Sequence, residues 1–236
     1  MDIKNEELSE LNQVKNKLLS VLAHDVQSPL NSIKGVLDLV KGEDISAEKG
    51  KELLLKIGNQ VQYTQGLLMG IVTWAKTQLS GIEVNMTRID IEKVMFAEFE
   101  NIKHMTVEKS IELYSTVDLK DKNFSSDKEI ICLLLRNLLS NAVKFSNVGG
   151  KVGVMVSKEF GNVVIEVTDN GIGMSKEKLA DLFKLGASQT FGTQQEKGFG
   201  LGLLLCYEYA KVLGVNIEVE SEIGSGTTFR LIFPFL

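Results

Sequence analysis

Leu53, Ile57, Val61, Thr64, Leu68, Ile71 and Ala75 recur at fours and threes, which lays one narrow apolar seam along a helix running to about Ser80. The preceding segment, Asp2 to about Lys41, has the same texture through Leu8, Leu11, Val14, Leu18, Val21 and Leu22. Only the loop Lys41–Glu48 separates the two, with Ser46 placed as an N-cap. A hairpin of two long helices cannot bury such a seam alone. The simplest partner is a second copy, giving a symmetric four-helix bundle in a homodimer. The alternative, packing on the rest of its own chain, is weakened by the core-forming stripes that the downstream sequence carries for itself.

Projecting the first helix separates two faces. Lys17, Ser20, His24, Gln27, Ser28, Asn31 and Lys34 fall within an arc of about 120°. Leu18, Leu22, Val26, Leu30, Ile33 and Val36 fill the other side. A core histidine belongs on the apolar stripe, so His24, next to the Asp25 carboxylate, is offered to something outside the helix. Pro29 lacks a backbone donor and crowds the carbonyl one turn back, so a kink is expected just after His24.

The 236 residues, 44% of them hydrophobic, suffice for two modest domains, which we place at 1–80 and 87–236 with a linker at 81–86, where Ser80–Asn85 breaks the helical pattern. A net charge of -5 gives no electrostatic case for nucleic acid. Cys132 and Cys206 sit in apolar helical runs and are expected as buried free thiols. No run approaches the roughly 20 apolar residues of a membrane span, and the acidic N-terminus lacks the layout of a signal peptide. The chain is therefore expected to be cytoplasmic with no membrane contact of its own, although a longer parent carrying a membrane anchor or an upstream sensor is compatible with this.

From Met86 the texture changes. A strand near Thr87–Ile91, a helix over Glu92–Met105, a strand at Ile111–Val117 and a strong helix over Asp127–Phe145 are followed by a hairpin, 150–160 and 162–169. A helix near Lys176–Phe183, a polar loop Leu185–Lys197, a helix Leu201–Leu213 and a last hairpin Asn216–Phe235 complete the pattern. Helices interleaved with mostly hairpin-joined strands predict a two-layer α+β sandwich.

Three stretches here carry chemistry. In the strong helix Ile131, Leu134, Leu135, Leu138 and Ala142 make the buried stripe, while Asn137, Asn141 and Lys144 fall together opposite. Amide oxygens can ligand a hard cation such as Mg²⁺, and a lysine one turn on can meet phosphate; a solvated helix face gives the same pattern. Asp169-Asn170-Gly171-Ile172-Gly173 ends a strand: the carboxylate can accept from an exocyclic amine, and the glycines let the backbone approach a ring. Read by itself, it is an Asn-Gly turn. Lys197-Gly198-Phe199-Gly200-Leu201-Gly202-Leu203 exposes backbone amides at a helix start, where phosphate is favoured, but lacks the context and spacing of a dinucleotide fingerprint. The polar run Gly186–Glu196 before it suits a mobile lid. His104 and Trp74 read as structural.

In this order, and with Gly224-Ser225-Gly226-Thr227-Thr228-Phe229 after them, these stretches resemble the ATP-binding Bergerat fold of sensor histidine kinases, shared with gyrase and related ATPases. His24-Asp25-Val26-Gln27-Ser28-Pro29-Leu30 looks like the histidine box of their dimerisation domain, so the resemblance covers nearly all of the chain. It implies an ATP- and Mg²⁺-dependent protein-histidine kinase of a two-component system. In it His24 accepts the γ-phosphoryl group, Asp25 acts as the adjacent base, and Ser28 helps position water when the protein dephosphorylates its partner. That partner would be the receiver domain of a response regulator. By similarity Asn141 and Asn137 hold Mg²⁺, Lys144 lies near phosphate and Phe145 near adenine. Asp169 reads the adenine, Gly171, Gly173, Lys197, Gly198, Gly200, Gly202 and Leu203 surround the nucleotide, and Phe183 matches the family's F box. Two departures stand out: Gln27 replaces the usual basic residue of the box, and the lid has no arginine, only Lys184 and Lys197 at its edges. The competing reading is a Bergerat-fold ATPase with a purely dimerising helical arm.

Overall fold

The computed structural model describes residues 30–31, 33–38, 46, 48–51, 53–54, 57–58, 61, 64, 84–183, 192–193 and 202–234. Contacts divide the chain into two units, Met1–Ser80 and Gly81–Leu236.

In the first unit the described residues within 30–38 and 48–64 are helical. Ser46 caps the second stretch: its Oγ accepts from the Lys49 amide at 3.4 Å and its carbonyl from the Gly50 amide at 2.9 Å. Leu53 and Thr64 of the seam are buried, whereas Leu30, Leu37, Leu54 and Val61 are exposed. His24, Asp25, Ser28, the kink at Pro29, Trp74 and the seam beyond Thr64 lie outside the described residues.

The second unit runs β1 (Met86–Asp90), α1 (Ile91–Glu108), β2 (Glu112–Val117), β3 (Asn123–Asp127), α2 (Lys128–Phe145), β4 (Lys151–Glu159), β5 (Asn162–Asp169), α3 (Lys176–Ala180), α4 (Gly202–Val212), β6 (Asn216–Glu222) and β7 (Gly226–Phe233). Five strands form one sheet in the order β2-β4-β5-β7-β6, and β1 pairs with β3 in a second, two-stranded sheet. All pairs are antiparallel except β2–β4, which the crossover through β3 and α2 makes parallel. This is the α+β sandwich that the pattern predicts, with β3 as an addition. Asn123-Phe124-Ser125-Ser126-Asp127 has one apolar residue and low strand propensity, and pairing with β1 gives it its conformation.

Helix α2 is the centre of the core. Asp127 caps it, Oδ1 accepting from the Glu129 and Ile130 amides at 2.9 and 3.1 Å. Its predicted stripe is buried, and so are Ile130, Leu139 and Val143, because the helix packs against α1 and α4 as well as β5. Each fully buried leucine contributes roughly 1.5–3 kcal/mol. β4 and β5 meet at the two-residue turn Phe160-Gly161, where both φ angles are positive, 49° and 92°. Of the two cysteines, Cys206 is buried and burial pushes its thiol up to about 12, while Cys132 is only half-buried at the edge of the α1–α2 contact. No helix among the described residues is long and apolar enough to cross a membrane.

Candidate nucleotide site

The end of β5 delivers Asp169 into a buried position, 6% exposed. Its Oδ1 accepts from the Gly171 amide at 2.8 Å, and the Thr227 amide of the neighbouring β7 also donates to it. Burial outweighs both contacts and pushes the carboxyl up to about 6. Among the described residues no cation pairs with it. A carboxylate kept from water with unspent acceptor capacity is suited to a ligand that donates a hydrogen bond.

The loop after Asp169 is held from two sides. Ile172 donates its amide to the Phe145 carbonyl at 3.1 Å, fastening the loop to the end of α2. On the other side Ser221 Oγ accepts from the Met174 amide at 2.9 Å and reaches the Gly226 carbonyl at 2.9 Å, fastening it to the β6–β7 hairpin. These contacts explain the glycines. A Cβ on Gly171 would lie 2.2 Å from the Phe145 carbonyl oxygen, and one on Gly173, at φ +63°, would lie 1.8 Å from that of Glu222.

On α2, Asn137 donates Nδ2 to the Leu133 carbonyl at 3.0 Å, which leaves Oδ1 turned away from the helix backbone. Gly202, the first residue of α4, packs against that oxygen so closely that a Cβ there would lie 2.7 Å from it. Asn141 is half-buried one turn on. Lys144, placed by the helical wheel on the exposed side with these asparagines, is instead only 8% exposed, with Nζ 4.7 Å from the centre of the Phe145 ring. The wheel records direction from the axis and misses that the loops after α2 cover its last turn. Phe183 stacks on Tyr207 of α4, ring centres 5.2 Å apart. Leu203 is half-buried beside the core. Lys197, Gly198 and Gly200 lie outside the described residues, as does the polar run before them apart from Gly192 and Thr193.

The structure thus brings Asp169, Gly171 and Gly173 together with Phe145, and Asn137 together with Gly202. Residues 126–236 match the histidine kinase-, DNA gyrase B- and HSP90-like ATPase family. The chain is 28% identical over 236 residues to the adaptive-response sensory kinase SasA of Crocosphaera subtropica, covering 97% of this chain and 62% of that one. The chain resembles a histidine kinase catalytic core. Solved kinases repeat its fold. Full-length ShkA, crystallised with AMPPNP, matches at a TM-score of 0.68 and 25% identity over 92% of this chain and 45% of that one. ThkA, solved in complex with the response regulator TrrA, matches at 0.74 and 20% over 98% and 64%. The chain spans less than two thirds of the length of SasA. Ser221 and Thr193 escaped the sequence reading, because single hydroxyls in polar stretches carry no periodic signal.

Proposed function

We propose that the chain is an ATP-dependent protein-histidine kinase in which the second unit binds ATP and His24 of the first accepts the γ-phosphoryl group. The buried Asp169 carboxylate, with no cation among the described residues and acceptor capacity left over, carries this reading, because adenine's exocyclic amine supplies a donor to it. Phe145 offers a ring face close by, and the glycine loop allows close approach. Asn141 and Asn137 supply hard oxygen donors of the kind that Mg²⁺ takes, and Lys144 adds a cation one turn on. Mg²⁺ would neutralise phosphate charge when bound.

In the transfer a ring nitrogen of His24 attacks the γ-phosphorus, the bond to the β–γ bridging oxygen breaks, and ADP leaves. Asp25 orients the neutral imidazole and takes its proton. The phosphoryl group then passes to an aspartate on a response-regulator receiver domain. Ser28, one turn from His24 on the same face, serves the reverse task of positioning water for dephosphorylation. The hairpin of residues 1–80 forms a four-helix bundle in a homodimer, 81–86 links it to the ATP-binding domain of 87–236, and the protein works in the cytoplasm. Resemblance of the histidine box and the exposure of Val61 within the seam support this arrangement.

Incubation with γ-labelled ATP and Mg²⁺ tests it. Acid-labile label is expected on the wild-type protein and not on His24→Ala; label persisting in that variant overturns the assignment. Release of ADP with no protein-bound label would mark instead an ATPase with a purely dimerising arm.

A further inference from the structure

A helix ends with four carbonyls that have no partner within it. At the end of α2 all four are taken, three of them by distant parts of the second unit. Ala142 accepts from the Ser146 amide and hydroxyl at 3.0 and 2.7 Å, and Phe145 from the Ile172 amide. Val143 and Lys144 accept from the ammonium of Lys109 at 3.1 and 2.8 Å. Lys109 follows α1 immediately and is 3% exposed. The same Nζ lies 3.4 Å from the Ser146 carbonyl and 2.8 Å from Thr193 Oγ1. Thr193 completes the knot by donating Oγ1–H to the Ser146 carbonyl at 2.7 Å and its amide to the Lys144 carbonyl at 3.1 Å.

Taking an ammonium out of water costs several kcal/mol, so a buried lysine persists only where oxygens replace its hydration. Here they do, and the negative end of the α2 dipole adds to the attraction. A lysine serving the core alone would need only the α2 carbonyls. This one also engages Thr193, 84 positions away in sequence. Lys144 and Phe145, whose carbonyls and backbone this knot fixes, are the residues that the reading above places at phosphate and adenine.

We infer that Lys109 is a positioning residue for nucleotide binding: with Thr193 it holds the last turn of α2, and hence Lys144 and Phe145, in the geometry that receives the nucleotide. The inference rests on the ATP reading. Thr193 is only half-buried, so substituting it tests the link without emptying the core. Thr193→Val keeps the shape and removes the hydroxyl's contacts with Lys109, Lys144 and Ser146; Thr193→Ser keeps them. Binding is measured on the whole chain with trinitrophenyl-ATP, alongside thermal melting. Thr193→Val is expected to bind about three- to tenfold more weakly with its melting temperature held within about 2 °C, and Thr193→Ser to regain wild-type affinity. Lys109→Met should lose at least as much affinity. If it does not fold, the Thr193 pair decides. The KM for ATP should rise by the same factor while kcat changes less than about twofold. Thr193→Val binding as tightly as wild type would overturn the inference alone. A wild-type protein that does not bind the probe would overturn the ATP reading and the inference with it.

Discussion

Glu98 and Asp169 are both buried carboxylates, 2% and 6% exposed, and they live under opposite rules. Glu98, on α1, is answered in full: Arg136 grips it through Nε and a terminal nitrogen at 3.0 Å each, and Asn101 adds a third bond at 3.1 Å. Asp169 has two backbone amides and no described cation, and burial pushes it up to about 6. The pairing of Glu98 consumes its acceptor capacity within the fold, where it can serve only to join α1 to α2. Asp169 holds that capacity open. Burial alone does not mark a functional carboxylate; burial without a counter-charge does.

The largest test of this contrast is Asp169→Asn. Replacing an acceptor by a donor where adenine's amine arrives sets two donors against each other, so nucleotide affinity should fall at least about 100-fold. The melting temperature at pH 7 should hold or rise, because a costly buried charge is gone. Calorimetric titration and a melting curve on the same sample measure both. Unchanged affinity would break the comparison at its functional half.

The pH dependence of the same residue follows with the opposite sign for stability and for binding. In the unfolded chain this carboxyl ionises near 3.8, in the native state near 6. Between these values the native state holds an extra proton. Its contribution to stability is fully present below about pH 4 and lost as pH rises through about 6, with an upper bound of roughly 3 kcal/mol. Binding needs the ionised acceptor, so affinity should be level above about pH 6 and fall below it. The exposed Asp90, Asp121 and Glu177, held low chiefly by side-chain hydrogen bonds, titrate the other way. The difference between wild-type and Asp169→Asn stability curves removes them. A flat difference between pH 4 and 7 would contradict the assigned environment.

Much of this site was legible because it is written in local chemistry. Asp169 ends an alternating strand, the glycines after it announce a close approach, Ile131, Leu134, Leu135, Leu138 and Ala142 mark the buried stripe of α2, and Phe160-Gly161 turns a hairpin. Each is a statement about neighbours in sequence. What escaped depends on partners far along the chain. The burial of Lys144 and the cage around Lys109 come from loops that fold over one helix end, and a lysine in a polar stretch reads as solvated until they do. The half-exposure of Cys132 and the pairing of β3 are set by neighbouring elements in the same way. The residues expected to accept and handle the phosphoryl group, His24, Asp25 and Ser28, were read from the sequence alone.

Glu98 supplies the next, smaller effect. Glu98→Gln loses the charge that the Arg136 fork is built around, but Arg136 is 59% exposed and can turn to water instead of being stranded. The cost should be about 1–3 kcal/mol in denaturant melts, with nucleotide affinity unchanged within about twofold. Loss of affinity without loss of stability would erase the distinction between the two carboxylates.

Arg230 marks the weak end of the same scale. On β7 it faces Glu159, Glu166 and Glu218 at 2.7, 2.8 and 3.5 Å, and these contacts hold the guanidinium firmly protonated. Glu159 and Glu218 are 40% and 48% exposed, so water competes for their charge, unlike that of Glu98. Arg230→Met should cost about 1 kcal/mol or less, even though it leaves three carboxylates without their shared cation. Screening then separates the cases. At about 1 M salt the Debye length shrinks to about 3 Å, and the Arg230 effect should largely vanish while that of Glu98→Gln persists, since no salt reaches a side chain closed off by two helices. Denaturant melts of both variants at low and high salt measure this. Equal salt sensitivity would mean that enclosure does not separate the two clusters, and that the pairing of Glu98 is as negotiable as a surface contact.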